Sequence, residues 1–262
     1  MRGLGSVAIA CAIAGCGRLG FGEQGRGSGT LGDGAGVDVP IDRYANAVLG
    51  DGAIAYWRLD ESSGTTVHDA LGHYPGTLIG GCTLGAAGAL TSSDTAVALD
   101  GTSCRIEIGT GILGFTGATP FSIELWANAT VTSGSVRWLV SNSTPSGSKS
   151  GYAVSMLDNT LWFEQDDANT SLAYTATTLP ALGAFHHVVV TTNANRQRIY
   201  VDGAQVVETA FTATEPSAPA ADLSFGDYQL PDPNKFEGTL DEIAFYDREL
   251  DAATIASHVA AR

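Results

Sequence analysis

The sequence predicts an all-β protein built as a sandwich of two antiparallel sheets, and its spacing and composition support this. Strand-like runs recur about every ten to fifteen residues from Ala55 to Tyr246, with Gly, Asn, Asp and Ser between them. This spacing is typical of sandwiches and not of alternating strand and helix units. Hydrophobic residues make up 44% of the 262 residues and charged residues 16%, so the chain can bury a full core. We therefore expect one folded β domain.

The first residues differ in kind from the rest of the chain. Arg2 supplies a positive charge, residues 4–13 an apolar run, and Ile13-Ala14-Gly15-Cys16 a small-residue cleavage site. The run is too short for a stable membrane span. The tetrapeptide resembles the lipobox of bacterial lipoproteins, which implies a signal peptide at 1–15, lipidation of Cys16, and anchoring in the bacterial cell envelope, at the outer membrane or cell surface. An ordinary secretory signal with a chance cysteine is the alternative.

Residues 16–43 are rich in Gly and carry too few apolar side chains to offset the entropy of ordering them. We expect a flexible tether, because a Gly-rich coil of about thirty residues has a reach of roughly 30 Å. That reach would hold a domain clear of lipid head groups. The folded domain is then expected over residues 44–262, with one helical turn over 44–49.

Five further segments carry strand and turn patterns in sequence order. They are an opening strand and turn (55–69), an early hairpin (97–101 with 105–108), a strand with a buried Trp (121–126), a central hairpin with an Asp-Gly turn (186–191 with 199–203), and a closing strand (236–250). Asp251 then opens a short Ala-rich helix over 252–261.

These segments, above all the closing Phe236-Glu-Gly-Thr-Leu-Asp-Glu-Ile-Ala-Phe-Tyr-Asp-Arg-Glu-Leu250, resemble the laminin-G-like, concanavalin A-like lectin and glucanase family. The resemblance covers roughly residues 50–262. It implies a two-sheet antiparallel jelly-roll sandwich with a short C-terminal helix.

Two cysteines, Cys82 and Cys104, remain after the predicted signal peptide and Cys16. Disulfides persist outside the cytosol, and this pair would close a loop of about 22 residues, for which loop-closure entropy predicts a stabilisation of about 3 kcal/mol. We expect a disulfide. Two free thiols or a metal site are the alternatives, although no Cys-x-x-Cys or His cluster accompanies the pair.

The formal net charge is −15 at pH 7. An acidic surface without a stripe of Lys or Arg repels polyanions, so nucleic acid and anionic lipid are poor partners. Contact with a membrane is expected through the N-terminal lipid only. Cations are better candidates for a binding partner. The alternative is that the negative charge only keeps the protein soluble.

The sequence offers no recognisable catalytic constellation. Glycoside hydrolysis needs two carboxylates facing one cleft, but Glu124 stands alone on its strand and the adjacent Asp241 and Glu242 are expected to point to opposite faces. We expect one ring of His186-His187 to face the core and the other the solvent. The chain is therefore predicted not to be an enzyme.

Calcium is more plausible than catalysis, because it binds carboxylate and carbonyl oxygens. The segment from Asp227 to Asp232 is similar in position to the pentraxin calcium loop, which makes Asp227, Gln229 and Asp232 candidate ligands. The resemblance also implies a structural ion on the convex side, with Asp69 and Asp241 in matching positions. The alternative role of these two is to cap turns.

Aromatic residues suggest carbohydrate binding, because sugars stack on exposed rings. Trp57 and Trp126 lie in strand patterns and are expected in the core. We assign ligand contact to Trp138, Trp162, Tyr152 and Tyr228, which lie near loops. The predicted function is a non-catalytic, envelope-anchored module that binds extracellular glycan, with calcium as a possible aid. Protein adhesion or structural assembly is the alternative function. A divergent polysaccharide-cleaving enzyme is the third and least favoured candidate.

Overall fold

A computed structural model describes residues 42–90, 93–115, 118–131, 134–143, 151–166, 172–179, 181–210, 221–228 and 235–262. All of these belong to one compact unit, Ile41–Arg262. The signal peptide, Cys16 and nearly all of the predicted tether lie outside the described residues, as do Gln229 and Asp232.

The described residues form sixteen strands and two helices. In chain order they are α1 (Arg43–Gly50), β1 (Ala55–Trp57), β2 (Thr66–Val67), β3 (Gly76–Ile79), β4 (Thr83–Ala87), β5 (Thr95–Asp100), β6 (Arg105–Thr110), β7 (Phe121–Ala129), β8 (Arg137–Ser143), β9 (Gly151–Leu157), β10 (Thr160–Asp166), β11 (Leu172–Thr178), β12 (His186–Asn193), β13 (Arg196–Val201), β14 (Ala204–Ala210), β15 (Asp222–Phe225), β16 (Glu237–Tyr246) and α2 (Ala252–Ala260).

The strands form two sheets of eight strands each. Sheet A has the order β14-β13-β12-β7-β16-β5-β4, with β1 also paired to β16, and sheet B has the order β11-β10-β9-β8-β15-β6-β3-β2. Neighbouring strands within both sheets run antiparallel, as in β7 with β16 and in β9 with β10. This confirms the predicted two-sheet sandwich with a short C-terminal helix.

The main core lies between the two sheets. Alternate side chains of each strand point into it, which follows from the two-residue period of a strand. Trp57 of sheet A packs edge-to-face on Phe225 of sheet B, with ring centroids 5.1 Å apart, and on Phe245 at 5.9 Å. The prediction that Trp57 is a core residue is therefore confirmed.

A second core lies on the opposite face of sheet A, beneath the two helices. The side chain of Asp42 accepts the N–H of Ala45 at 2.9 Å to start α1, and that of Asp251 accepts the N–H of Thr254 at 2.8 Å to start α2. The helices cover a cluster that includes Tyr44, Trp126, Val189, Tyr200, Tyr246 and Ile255. Among the described residues no helix is long and apolar enough to cross a membrane.

Two details differ from the sequence prediction. Residues 97–101 and 105–108 are not a hairpin, because β5 belongs to sheet A and β6 to sheet B. Between them Oδ1 of Asp100 accepts three successive backbone N–H groups, which stabilises the crossing from one sheet to the other. The Asp202-Gly203 turn joins β13 to β14, whereas β12 and β13 form the expected hairpin through a different turn.

The predicted disulfide between Cys82 and Cys104 is present, with Cα atoms 4.8 Å apart. Cys82 lies where the chain passes from β3 of sheet B to β4 of sheet A. Cys104 lies where it returns from β5 of sheet A to β6 of sheet B. The bond therefore joins two neighbouring crossings between the sheets.

Candidate functional site

The acidic pair of the closing strand lies on one face of sheet A, not on two. The register of β16 against β7 shifts between Asp241 and Ala244, and Glu242 adopts a left-handed backbone with φ 51°. This bulge turns the side chain of Glu242 to the side that Asp241 occupies. The expectation that the two point to opposite faces was wrong for this reason.

Asp94 joins the pair from the segment before β5. One carboxylate oxygen from each of Asp94, Asp241 and Glu242 lies within 4.8 Å of the others. Asp241 and Glu242 are fully buried. Oδ1 of Asp241 has no hydrogen-bond partner among the described residues, whereas Oε1 of Glu242 lies 3.7 Å from Nε of Arg58. Buried carboxylate oxygens in this state suit a hard cation such as calcium, which takes six to eight oxygen ligands. We call this group the acidic triad.

Burial sets the protonation of the acidic triad. Loss of solvent raises the pKa of Asp241 to about 10, and the nearby Glu242 and Asp94 add to this effect. Burial also raises the pKa of Glu242 to about 8, although the hydroxyl of Tyr56 and the guanidinium of Arg58 oppose it. Without a cation, burial therefore favours the protonated form of both groups.

Two other residues predicted as calcium ligands have different partners. The carboxylate of Asp69 accepts four backbone N–H groups, from Tyr56, Leu71, His73 and Tyr74, at 2.9 to 3.1 Å. It therefore acts as a turn cap, which was the alternative role. Asp227 is buried against the ammonium group of Lys235, so a cation already occupies that carboxylate. The contacts of Asp69 and Asp227 therefore do not favour a calcium site. Oδ2 of Asp241 accepts the backbone N–H of Ala89 at 2.7 Å, and Asp241 also belongs to the acidic triad.

Glu124, which stands alone in the sequence, is the centre of a buried polar cluster beneath the helices. Its Oε1 accepts hydrogen bonds from Tyr44 Oη at 2.9 Å and from His187 Nε2 at 2.7 Å. Its Oε2 accepts from Tyr246 Oη at 2.6 Å. Nδ1 of His258 lies 2.9 Å from both oxygens. We call these residues the Glu124 cluster.

The Glu124 cluster is charged, and both oxygens of Glu124 are hydrogen-bonded within it. Burial alone would raise the pKa of Glu124, but the hydrogen bonds from His187 and His258 outweigh it and hold that pKa well below its ordinary value. Burial alone would lower the pKa of His258, but its bonds to Glu124 and Asp51 outweigh that effect and raise it. Such an arrangement stabilises the fold, and the full burial of Glu124 keeps its carboxylate away from solvent.

The two adjacent histidines point to opposite sides of their strand, as predicted. His187 is fully buried in the Glu124 cluster. His186 points outward to the carboxylate of Asp202, with Nδ1 2.9 Å from Oδ2.

The outer face of sheet B carries the candidate ligand residues. Trp138 of β8 stacks on Tyr228, with ring centroids 4.2 Å apart and planes at 18°. Trp138 is partly exposed. Among the described residues no helix covers this face, because both helices pack on sheet A. Tyr228 itself is buried, at 8% exposure, so Trp138 is the member of the pair that can present apolar surface to a ligand.

The pairing register places a second indole, that of Trp162, on the same face of sheet B as Trp138, two strands away. Ser155 of β9 lies opposite Trp138 of β8 on one side and opposite Trp162 of β10 on the other. Residues opposite each other on antiparallel strands share a face. Trp162 is partly exposed as well. The neighbouring positions on this face are small and buried, namely Ser141, Ala153 and Ser224.

Charged groups border the Trp138 side of this face. The guanidinium of Arg105 bonds Oε1 of Glu107 at 2.5 and 2.8 Å, and its Nε lies 3.8 Å from Oδ2 of Asp227. Lys235 contacts the same carboxylate. On the Trp162 side, Oγ of Ser155 donates to Oε1 of Glu164 at 3.3 Å.

Tyr152, the fourth residue predicted to contact ligand, lies in the main core instead. Its side chain is 1% exposed, and its ring packs 4.9 Å from that of Phe121. Its hydroxyl donates to the carbonyl of Leu113 at 2.8 Å. The strand period explains this, because Tyr152 shares the inward face of β9 with Val154.

Comparison of the fold with solved structures gives several similar domains. The binding domain of Paraclostridial Mosquitocidal Protein 1 has a TM-score of 0.66 at 15% identity, over 80% of this chain and 52% of that chain. Domain 4 of AbnA, a GH43 extracellular arabinanase from Geobacillus stearothermophilus solved in complex with arabinotriose, has a TM-score of 0.59 at 16% identity, over 79% and 98%. The binding domain of botulinum neurotoxin DC in complex with rat synaptotagmin II has a TM-score of 0.60 at 16% identity, over 81% and 52%.

The chain thus spans about half the length of the two toxin domains, 52% in each case, and nearly all of the arabinanase domain. At these identities the likeness establishes the fold alone. No curated protein sequence matched the chain.

A protein-family model described as the concanavalin A-like lectin/glucanases superfamily matches residues 95–256, which is more than half of the chain. The match runs from β5 to the second turn of α2 and so includes most of both sheets. The chain belongs to the concanavalin A-like lectin/glucanase superfamily.

Proposed function

We propose that the protein is a non-catalytic module that binds extracellular glycan on the outer face of sheet B. The stacked pair of Trp138 and Tyr228 carries this proposal, because it lies on the face that the helices leave open. Aromatic surface with a few polar groups around it is typical of ligand sites. The opposite face of the sandwich is occupied by its own second core.

The similar structures support this proposal in general terms. They are mainly binding domains, and one of them, the arabinanase domain, was solved with arabinotriose. The toxin domain solved with synaptotagmin makes a protein ligand the second candidate. The burial of Glu124, Asp241 and Glu242 beneath the helices favours binding over hydrolysis, because a glycosidic bond cannot reach these carboxylates.

We also propose that calcium supports the module by binding the acidic triad and not the glycan itself. Asp94, Asp241 and Glu242 would hold the ion, and their position beneath the helix layer gives it a structural role. When bound, calcium would supply the positive charge that keeps these carboxylates ionised.

Envelope anchoring through Cys16 completes the proposal. The chain enters the domain at α1, which packs on sheet A. Replacement by Cys16→Ser should release the protein from the membrane fraction, and continued membrane association would contradict this part.

The glycan proposal is tested by affinity electrophoresis of the full chain in gels that contain arabinan, xylan, mannan or β-glucan, with and without calcium. We expect retardation by at least one polysaccharide and its loss in Trp138→Ala. The matched control is Val206→Ala, an exposed apolar side chain on sheet A. Equal migration in every gel would reject a glycan ligand among these classes and favour a protein partner, to be sought by crosslinking.

A further inference from the structure

We infer that α1 docks on sheet A in a pH-dependent way: it is docked while His258 is protonated, and it leaves the still-folded sandwich once His258 loses that proton. This inference goes beyond the proposed function and depends on neither a glycan nor calcium. It starts from the position of His258 in α2, whose ring lies between a carboxylate of sheet A and a carboxylate at the end of α1.

The two ring nitrogens of His258 join α1 to the sheet. Nδ1 lies 2.9 Å from both carboxylate oxygens of Glu124 on β7. Nε2 lies 3.0 Å from Oδ2 of Asp51, the residue that caps the C-terminal end of α1. A neutral imidazole has one N–H donor, whereas a protonated one has two. Loss of the proton therefore breaks one of the two contacts.

The contact that breaks is the one with Asp51. Glu124 is fully buried and cannot be hydrated if it loses a donor, whereas the side chain of Asp51 is 38% exposed and can bind water instead. The single N–H of a neutral His258 is therefore expected to stay on Glu124. Nε2 then turns a lone pair towards the carboxylate of Asp51, and the two groups no longer attract each other.

The position of this step on the pH scale follows from the surroundings of His258. Burial alone would lower the pKa of His258, but its bonds to Glu124 and Asp51 raise it. A raised pKa means that the contribution to docking is present at low pH and is lost as the pH rises through the folded value, which lies above the ordinary value of about 6.5.

The acid and the two hydroxyls that face His258 keep their charge over the same range. Burial raises the pKa of Tyr44 on α1 and of Tyr246 on β16, so both hydroxyls stay protonated. Burial alone would raise the pKa of Glu124, but its bonds to His187 and His258 hold it well below its ordinary value, so it stays ionised.

Two further charged or titratable groups lie beside this contact. Arg248 donates to the carbonyl of Asp51 at 2.7 Å and lies 3.9 Å from its Oδ1, and a guanidinium does not lose its charge. His187 of β12 contacts Oε1 of Glu124 at 2.7 Å. Its Nδ1 has no hydrogen-bond partner among the described residues, so it makes no second bond that ties Glu124 to α1. His258 is therefore the imidazole that connects the helix to the sheet.

The helix itself is short enough to undock alone. It has eight residues, and an isolated helix of this length is not stable in water. It lies at the N-terminal end of the compact unit and belongs to neither sheet, so it can leave without breaking a strand pair. At its other end, Asp42 contacts Arg58 at 2.6 Å. Arg58 stays charged, so undocking is expected to begin at the Asp51 end.

Undocking of α1 would have two consequences. It would uncover the part of the second core that Tyr44 and Val48 cover, including the ring of Trp126, whose centroid lies 6.1 Å from that of Tyr44. It would also add residues 42–53 to the chain that precedes the domain. The junction between the domain and that chain would therefore be longer at high pH than at low pH.

Hydrogen exchange of the full chain, purified in detergent and followed by mass spectrometry, tests the inference. Exchange is measured from pH 6 to pH 9 and corrected for the intrinsic effect of pH on amide exchange. We expect the protection of α1, relative to that of β7, to fall about tenfold over this range, the effect of losing one partly exposed charged hydrogen bond. The ratio to β7 removes any change in global stability.

Variants at the two ends of the contact locate the effect. Asp51→Asn and His258→Gln should both show low protection of α1 already at pH 6 and little further change up to pH 9. Asp51 is partly exposed, so Asp51→Asn is expected to fold even if His258→Gln does not. The matched control is His186→Gln, because His186 lies 2.9 Å from another carboxylate, Oδ2 of Asp202, and should leave the pH dependence of α1 intact.

Three results would overturn the inference. Equal pH dependence of protection in α1 and β7 would show that the helix opens only when the sandwich unfolds. Protection of α1 that is constant from pH 6 to pH 9 would show that His258 does not control docking. A pH dependence that persists in Asp51→Asn would assign the effect to the Asp42 and Arg58 end of the helix. None of these results bears on glycan binding.

Discussion

His258 of the C-terminal helix lies with Nδ1 2.9 Å from both carboxylate oxygens of Glu124, the central acid of β7. The other ring nitrogen, Nε2, lies 3.0 Å from Oδ2 of Asp51 at the end of α1. One imidazole thus links both helices to sheet A. Only a protonated ring has two N–H donors for two carboxylates, which agrees with the raised pKa of His258.

Replacement of Glu124 by Gln should destabilise the protein by about 3 kcal/mol, because removal of one partner leaves buried donors without a charged acceptor. The amide keeps the shape of the side chain, so packing is little changed. Urea unfolding followed by tryptophan fluorescence measures the difference. Glu208→Gln is the matched control, since its exposed ion pair with Arg198 should contribute less than about 1 kcal/mol. Equal effects of the two variants would contradict the central role of Glu124.

The contribution of His258 to stability should depend on pH. Since its folded pKa is raised, this contribution is fully present below the unfolded pKa of about 6.5 and is lost as the pH rises through the folded pKa. Glu124 behaves in the opposite sense, because its folded pKa is lowered and its contribution is lost as the pH falls through that value. The difference in urea midpoint between wild type and His258→Gln should therefore shrink from pH 6 to pH 9. A difference that stays constant over this range would show that the imidazole has the same pKa in the folded and unfolded states, and would contradict a raised pKa of His258.

Calcium should stabilise the protein more at pH 8 than at pH 5. The raised pKa values of Asp241 and Glu242, about 10 and about 8, mean that stability without metal falls as the pH rises from about 4 towards these values. A cation replaces the protons and removes this loss. At a hundredfold excess over Kd we expect about 2.7 kcal/mol, or a rise in Tm of about 5 to 10 °C.

Asp241→Asn should abolish the calcium response, because it removes a buried carboxylate of the acidic triad whose Oδ1 has no hydrogen-bond partner among the described residues. Glu208→Gln should retain the response. Thermal scans in EDTA and in calcium at both pH values provide the measurement. A Tm that calcium leaves unchanged at pH 8 would reject the acidic triad as a metal site.

Loss of the Cys82–Cys104 disulfide should lower the free energy of unfolding by about 3 kcal/mol, the value expected for a loop of 22 residues. The double variant Cys82→Ala with Cys104→Ala tests this in urea. Reductant should destabilise the wild type to a similar extent and leave the double variant unchanged. A further effect of reductant on the double variant would point to another cysteine.

Local patterns in the sequence were sufficient for the parts of the fold that depend on neighbouring residues. The existence of strand β16, the Asp251 cap of α2 and the burial of Trp57 all follow from short-range periodicity and capping chemistry. The bulge at Glu242 does not, because a one-residue register shift depends on the pairing with β7. The sequence gives no local sign that Asp94 completes the acidic triad.

The sequence by itself determined that this protein is a two-sheet β sandwich with a C-terminal helix and a disulfide, because strand period, caps and cysteine number are local properties. Only the tertiary structure decided which face is covered. The partners of Glu124 lie 63 to 134 residues away along the chain, and Trp138 and Trp162 share a line only through the register of three strands. Such relationships arise when the sheets and helices pack, since packing alone assigns one face of sheet A to a second core beneath the two described helices.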